Sequence, residues 1–210
     1  MYVPADFVLA ERDSCHDLIR AHGFALLATA DDAGLPVATH LPLVLDPARG
    51  PNGTLIGHVA RANPQAAALD GRLALAVFQG PHTYISPMWY GTPKTSVPTW
   101  NYVAVHAYGV PRPVADPAAV RALLARMVRD FEPEGAAGWR MEDADPGFIE
   151  RMARGVSAFE MPIDRLEGKA KLSQNRPTAD RPRIIAALGQ SGDPLAVAVA
   201  DLMAAGERER

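Results

Sequence analysis

The chain has 210 residues, of which 48% are hydrophobic and 21% are charged, and its formal net charge at neutral pH is −3. These values predict one globular domain over residues 1–210 and exclude a strong general attraction to nucleic acid or anionic membrane. The single cysteine, Cys15, excludes an internal disulfide framework and a multi-cysteine metal site. Apolar runs too short to span a bilayer, and an N-terminus without a signal-peptide pattern, predict a cytoplasmic protein.

The N-terminal half predicts one helix followed by a series of strands. Cys15, Leu18 and Ile19 recur at helical spacing, whereas the two β-rich runs around Asp32–Gly34 are typical of a hairpin. The predicted elements in chain order are a helix at 11–23, the hairpin within 24–46, strands at 53–60 and 72–80, and a short helix between these strands at 64–70.

The C-terminal half predicts one long strand and several helices. The clearest helix follows Asp116, a favoured N-cap residue, and has Pro117 at its first position. The predicted elements are a strand at 100–114, helices at 116–132 and 145–155, a strand at 157–168, a polar loop at 169–181, and helices at 181–188 and 194–204.

Adjacent strands with hairpin signals favour a mainly β, mostly antiparallel barrel with peripheral helices, an α+β class. The chain has no regular alternation of strands and helices and no G-x-G-x-x-G motif at a helix start, which argues against a doubly wound nucleotide-binding sheet. The barrel core is predicted at about residues 20–165, followed by a C-terminal loop and helices at about 166–206.

Aromatic residues are concentrated in one part of the chain. The window Phe78–Tyr108 holds seven of the fourteen Phe, Trp and Tyr residues, interrupted by proline and glycine. Such a segment is either the thick part of a core or the wall of a site for a flat ligand with polar edges.

The stretch GHVARANPQ, residues 57–65, has the composition of an anion site. A strand ending near His58 is followed by Asn63, a preferred N-cap residue, and by Pro64 at the first helical position, with Arg61 close by. A helix start beside a guanidinium suits a phosphate. A well-capped surface helix with a solvated arginine explains the same residues.

The polar loop at 169–181 leaves only Leu172 to bury near its start, and it is either a solvated loop or a lid over a ligand with carbonyl or phosphate groups. The mid-chain histidines lie far apart without metal-binding spacing, so no metal site is predicted. No G-x-S-x-G motif is present, and Cys15 has no evident histidine partner for nucleophilic catalysis.

Six segments in order carry a family resemblance: MYVPADF, THLPLVLD, GHVARANPQ, FQGPHTYISPMWY, VPTWNYVAVHAYG and LEGKAKLSQNR. They resemble the PaiB-like FMN-binding negative transcriptional regulators, within the flavin split-barrel group that includes pyridoxamine phosphate oxidases. The resemblance extends from the first residue to about Arg183. The chain departs from the family pattern at Met88, where serine is more frequent, and at Ala170, where tryptophan is more frequent.

The resemblance implies a split-barrel homodimer with FMN between the subunits. It assigns the flavin ring, ribityl and phosphate contacts to a strand-turn set comprising His40, Leu41, Pro42, His58, Val59, Ala60, Arg61 and Asn63. A ring-loop set, from the same subunit or its partner, would complete and close the pocket; it comprises Tyr84, Ser86, Trp89, Thr99, Trp100, Asn101, Lys171, Ser173, Gln174 and Asn175.

The resemblance also implies a role in transcription, but the residues give little support for direct DNA binding. The last predicted helix carries Asp201 and no lysine or arginine, although the span Arg165–Arg183 has a net charge of +4 that could contact phosphates. The first alternative is a flavin-dependent oxidoreductase acting on an unknown small molecule. The second is a haem-binding or haem-degrading split barrel, with His40, His58, His82 or His106 as the axial ligand.

Overall fold

The structure is a computed structural model that describes residues 1–133, 135 and 137–208. The strands within these residues are β1 (Val8–Leu9), β2 (Phe24–Ala30), β3 (Pro36–Pro42), β4 (Val44–Asp46), β5 (Thr54–Ala60), β6 (Ala74–Ile85), β7 (Thr99–Gly109), β8 (Arg112–Val114), β9 (Val156–Pro162) and β10 (Arg165–Lys171). The α-helices are α1 (Arg12–Ala21), α2 (Pro117–Phe131), α3 (Pro146–Arg154), α4 (Arg181–Gly189) and α5 (Pro194–Arg208).

The elements divide into two compact units, which are described separately. The central unit comprises residues 19–78 and 106–166, and the terminal unit comprises residues 1–18, 79–105 and 167–210. Strands β6 and β7 each contribute residues to both units.

The central unit contains antiparallel strands in the orders β4-β5-β9-β8 and β6-β2-β3. The β2–β3 hairpin pairs Phe24 with Pro42 at one end and Ala30 with Pro36 at the other. The Asp31 carboxylate stabilises its turn by accepting hydrogen bonds from the Ala33 and Leu35 amides. This order leaves β3 at the end of its series, which exposes the edge that carries His40.

Helix α2 forms as the sequence predicts, because both its start and its apolar face are specified. The Asp116 carboxylate accepts a hydrogen bond from the Ala119 amide, and Pro117 occupies the first turn. Leu123 and Met127, four residues apart, are buried in one cluster with residues of β4, β5 and β9. This cluster fixes α2 beside the strand that leads into the His58–Asn63 turn.

In the terminal unit, β1 pairs antiparallel with β10, placing Leu9 opposite Gly168. A Cβ atom at Gly168 would lie 2.5 Å from Cys15 Sγ and 2.9 Å from the Leu9 carbonyl oxygen, so this close approach requires glycine. Helices α4 and α5 form a second core with the end of β6, through Ile85, Tyr90 and the residues Ile184, Leu188, Ala196, Val199, Ala200 and Met203.

The predicted mainly antiparallel α+β class is confirmed, and so are the five α-helices. Three of the predicted elements were wrong in their bounds, their number or their helix type. The strand predicted at 157–168 is two strands, β9 and β10, and the second includes Lys169–Lys171, which were predicted as loop. The strand predicted at 100–114 is interrupted after Gly109, and the helix predicted at 64–70 is a 3-10 helix, Pro64–Leu69. No described helix meets the length and hydropathy needed to cross a bilayer.

Candidate functional site

The β3 part of the strand-turn set presents one exposed ring at a strand edge. His40 is exposed and stacks on Phe24 of the neighbouring strand, with 6.2 Å between the ring centroids. Leu41 is buried and Pro42 is half-buried, in keeping with the alternation of side chains along a strand. Of these three residues, only His40 offers its side chain freely to a ligand.

The turn after β5 is held by two polar side chains. Asn63 Oδ1 accepts a hydrogen bond from the Gln65 amide at 2.9 Å, as an N-cap does, and Asn63 Nδ2 donates to Thr39 Oγ1 at 2.9 Å. The predicted capping is therefore present, on a short 3-10 helix. Thr39, which sequence reasoning did not select, ties β3 to this turn and so brings His40 and Asn63 into one neighbourhood.

The guanidinium of Arg61 is partly committed to the protein itself. Its Nε donates to the Arg154 carbonyl at 2.7 Å and its Nη2 to the Val156 carbonyl at 2.9 Å. A cation that binds the last carbonyls of a helix stabilises that helix end, here the end of α3. Arginine has five N–H donors, so further donors remain for an anion.

His58 combines burial with an unused ring nitrogen. Its side chain is half-buried in β5, burial lowers its pKa below the ordinary value, and Nδ1 has no hydrogen-bond partner among the described residues. A buried ring nitrogen without a partner is unusual in a native protein. The neighbouring Val59 is buried and Ala60 is exposed, so Ala60 presents backbone rather than a large side chain at this edge.

The aromatic half of the ring-loop set includes an exposed ring cluster. Trp100 is 53% exposed and Tyr84 is 45% exposed, and their centroids lie 6.2 Å apart in an edge-to-face arrangement. His82 lies on the same strand as Tyr84, with its ring 6.4 Å from that of Trp100. We call Tyr84, His82 and Trp100 the ring cluster. Its exposed rings are compatible with the second of the two interpretations of this segment, the wall of a ligand site.

The other aromatic-segment residues have structural roles. Ser86 Oγ accepts a hydrogen bond from the Met88 amide, and Trp89 packs against the core formed by α4 and α5. Met88, at the position where the family more often has serine, is 76% exposed. Its side chain therefore adds apolar surface, whereas Trp89 contributes to packing.

Lys171 fixes the strand that bears Trp100. Its Nζ donates to the Trp100 carbonyl at 2.8 Å and also contacts Thr99 Oγ1. Burial, followed by the charges of Lys169 and Arg176, lowers the pKa of Lys171. The predicted lid lysine thus connects the end of β10 to the start of β7.

Ser173 and Gln174 also bind within the protein. Ser173 is buried, has a left-handed backbone with φ of 64°, and accepts a hydrogen bond from Asn101 Nδ2 at 3.0 Å. The Gln174 side chain accepts from the Leu172 amide and donates to the Ala170 carbonyl, which stabilises its own turn. Asn175 is exposed and remains open to a ligand.

The structure therefore brings the predicted residues together within each unit. In the central unit, His40, Thr39 and Asn63 are linked across β3 and the turn after β5. In the terminal unit, Thr99, Trp100 and Asn101 are linked to Lys171 and Ser173. The FMN contacts predicted from the sequence did not include Thr39, and His82 was considered only as a haem ligand. Each stands two residues from a selected position, on the same side of its strand.

Gln65 is a further polar residue that the sequence did not single out. It is 4% exposed, its Nε2 donates to the Leu27 carbonyl and to Thr29 Oγ1, each at 3.0 Å, and its Oε1 has no described partner. Gln65 is the last residue of the GHVARANPQ segment, and its place in that segment was the feature of the sequence that could have identified it. Within the described residues, no cluster of three or more potential metal ligands occurs.

Comparison with known proteins identifies relatives of this chain. The model of the "Putative FMN-binding domain" family matches residues 1–165. The chain is 31% identical over 204 residues to the protease synthase and sporulation protein PAI 2 of Bacillus subtilis, covering 97% of this chain and 96% of that protein. It is 30% identical over 241 residues to the uncharacterized protein AN0679 of Emericella nidulans, covering 97% and 96%.

Solved structures share the fold at low identity. The FAD and haem binding protein of Mycobacterium smegmatis aligns with a TM-score of 0.56 and 20% identity over 77% of this chain and 71% of that one. The conserved hypothetical protein Rv2991 of Mycobacterium tuberculosis aligns with a TM-score of 0.59 and 14% identity, over 84% and 94%. These likenesses confirm the split-barrel fold, and the family match supports FMN as the cofactor.

Proposed function

This chain belongs to the putative FMN-binding domain family, and from that premise we propose that it is a PaiB-type homodimer that holds FMN between its subunits and acts as a negative regulator of transcription. The observation that carries the proposal is the ring cluster. Its exposed Trp100 is fixed through its backbone by Lys171, so that an exposed indole ring is presented to solvent by a rigid support.

The chemical groups fit FMN. The isoalloxazine ring is flat and has polar edges, which matches the ring cluster and the exposed His40. The phosphate matches the remaining donors of Arg61, and the unpartnered Nδ1 of His58 is a further polar group beside that turn. When bound, the flavin supplies electron-transfer chemistry, and the side chains here bind and orient it.

A dimer accounts for the apolar side chains that each unit exposes. Phe24 is 69% exposed in the central unit, and Val97 is 68% exposed in the terminal unit, close in sequence to Trp100. In a homodimer, two subunits related by symmetry would cover such exposed apolar groups in pairs. The edge position of β3 gives the partner subunit access to His40.

The regulatory effect is proposed to be indirect, because most of the basic side chains in the segment 165–183 are already engaged. Lys169 donates to the Tyr2 carbonyl, Arg176 lies 4.5 Å from the centre of the Tyr90 ring, and Arg181 pairs with Glu207. Phosphate binding needs cations that are available to the nucleic acid. We therefore propose that the protein affects transcription through a partner protein that responds to the redox state of the bound flavin, and not through direct contact with DNA.

The test is a titration of the protein with FMN, followed through quenching of flavin fluorescence. Replacing the exposed Trp100 (Trp100→Ala) should weaken binding by at least about tenfold, in line with the loss of a stacking partner. The matched control, Trp139→Ala, removes another exposed tryptophan, which lies in the segment between α2 and α3. Equal losses in both variants, or a Soret band in place of flavin absorbance, would contradict the proposal.

A second candidate, an FMN-dependent oxidoreductase, is favoured by His82. Its imidazole lies beside Trp100, and its Nδ1 is within 3.2 Å of the Gly80 carbonyl and of Gln79 Nε2. An imidazole can donate or accept a proton, and the reduction of a small molecule by flavin requires a proton donor. Consumption of reduced nicotinamide that depends on FMN and decreases in His82→Ala would support this candidate; equal rates in both proteins would exclude it.

A further inference from the structure

A groove between α2 and α3 of the central unit has the dimensions of a small-molecule site. It encloses about 400 Å³, within the range of ligand pockets in proteins. Its lining includes Arg61, Val120, Arg121, Ile149, Glu150 and Arg154. Among these residues, only Arg61 belongs to the strand-turn set, and none belongs to the ring-loop set.

The charge of the groove is positive. Three arginines, Arg61, Arg121 and Arg154, face one acidic residue, Glu150. In the described part of the chain, neither Arg121 nor Arg154 forms an ion pair or a side-chain hydrogen bond, and both are exposed. Two guanidinium groups without carboxylate partners at one groove are complementary to an anion.

The inner wall of the groove is apolar. Ile149 is 7% exposed, Val120 is half-buried, and Pro117, Ala118 and Ala153 add small apolar surfaces. This wall suits hydrocarbon and disfavours a fully hydrated ion such as inorganic phosphate. The combination of an apolar wall with arginines at its rim is the pattern that an amphiphilic anion requires.

Arg61 makes one side of this groove rigid. Its two hydrogen bonds to the Arg154 and Val156 carbonyls connect the turn after β5 to the end of α3. The Arg61 amide also donates to the Gly155 carbonyl at 2.8 Å. The end of α3, which carries Arg154, is therefore held in place before any ligand binds, which reduces the ordering cost of binding.

We propose that this groove binds a small organic anion consisting of a carboxylate head and an apolar body. The carboxylate pairs with Arg121 and Arg154, and the apolar body lies against Val120 and Ile149. This site shares Arg61 with the strand-turn set. The inference does not depend on the proposed function, because the arginines that pair with the carboxylate, Arg121 and Arg154, lie on α2 and α3 and outside that set.

The test uses octanoate as the probe ligand, measured by isothermal titration calorimetry on the purified full-length protein without FMN. Octanol and octylamine have the same hydrocarbon body without the carboxylate, so they should bind at least about tenfold more weakly than octanoate. Arg121→Gln and Arg154→Gln should each weaken octanoate binding by about tenfold, the loss expected for a charge-assisted hydrogen bond.

Arg129→Gln and Arg151→Gln are matched controls, because these arginines lie on the same two helices but outside the groove. Octanoate affinity should change by less than about twofold in both. No octanoate binding, equal losses in the controls, or equal binding of octanol would overturn the proposal.

A final titration separates this inference from the flavin proposal. Saturating FMN should leave octanoate affinity within about twofold of its value without FMN, as expected for independent sites. Competition between the two would assign the groove to the flavin site and overturn a second site. Octanoate binding by a protein that binds no FMN would leave this inference standing while the proposed function fails.

Discussion

Asn101 and Ser173, 72 residues apart in the chain, are joined by a hydrogen bond of 3.0 Å from the Asn101 side-chain amide to the Ser173 hydroxyl. Asn101 is fully buried, and Ser173 holds a left-handed backbone conformation. A non-glycine residue keeps such a conformation only where its surroundings stabilise it. The contact therefore fixes the loop after β10 against the strand that carries Trp100.

Replacing Asn101 with alanine should lower the free energy of unfolding by about 1–3 kcal/mol, because it leaves the buried Ser173 hydroxyl without this partner. Chemical denaturation of both proteins measures the difference. Asn175→Ala removes an exposed asparagine from the same loop and should change stability by less than about 0.5 kcal/mol. Equal effects of the two substitutions would contradict this account of the loop.

Gly168→Ala should destabilise the protein by about 1–3 kcal/mol or more. The added methyl group would approach the Leu9 carbonyl oxygen to 2.9 Å and Cys15 Sγ to 2.5 Å, so β1 must shift. Gly192→Ala, at a position with no atom within 4 Å of the added Cβ, is the control. Thermal unfolding of the two variants compares them; an unchanged melting temperature for Gly168→Ala would show that β1 moves freely.

Lys171→Met should weaken FMN binding by about tenfold, because it removes the charge-assisted hydrogen bond that positions the Trp100 backbone. Lys94→Met removes a second lysine of the terminal unit, which is exposed, and should leave the affinity unchanged. Flavin fluorescence titration gives both values. If Lys171→Met binds FMN as the unmodified protein does, the ring cluster does not depend on this support.

The free energy of unfolding should decrease as the pH falls through 6.5, the ordinary pKa of histidine. Burial lowers the pKa of His58 below this value. The unfolded chain takes up a proton there while folded His58 stays neutral, so the unfolded state gains stability at lower pH. His22 has a pKa lowered by burial as well and contributes in the same direction. Denaturation between about pH 7 and about pH 5 should show a shallower decrease in His58→Gln; identical slopes would contradict it.

Local features of the fold were predictable because they depend on neighbouring residues. The caps at Asp116 and Asn63 each use a side chain two or three positions from its partner, and the Asp31 turn closes within four residues. Residue types at such spacings determine these hydrogen bonds directly. The class of the fold followed from the same local signals.

The partners of the candidate site residues were not predictable, because they lie far away in sequence. The polarity of Lys171 and Ser173 suggested lid residues, but each forms a hydrogen bond with a residue of β7 about seventy positions earlier. Arg61 read as a phosphate ligand, yet it also holds the end of α3, more than ninety positions later. Polarity in a sequence shows that a group needs a partner, but not which one.

The most direct test of the proposed flavin site at a subunit interface is FMN binding by a mixed dimer. One subunit would carry Ala60→Glu, which places a carboxylate at an exposed position of the strand-turn set, and the other would carry Trp100→Ala. Each variant alone should bind FMN at least about tenfold more weakly, through repulsion of the phosphate or loss of the ring. Ala122→Glu, on the exposed surface of α2, should bind FMN with unchanged affinity.

The two variants would be co-expressed with different affinity tags and purified as the heterodimer. If the strand-turn set and the ring-loop set of one site come from different subunits, one site carries both substitutions and the other carries neither. We therefore expect one FMN per heterodimer, bound with the affinity of the unmodified protein. A heterodimer that binds no FMN would contradict a site shared between subunits.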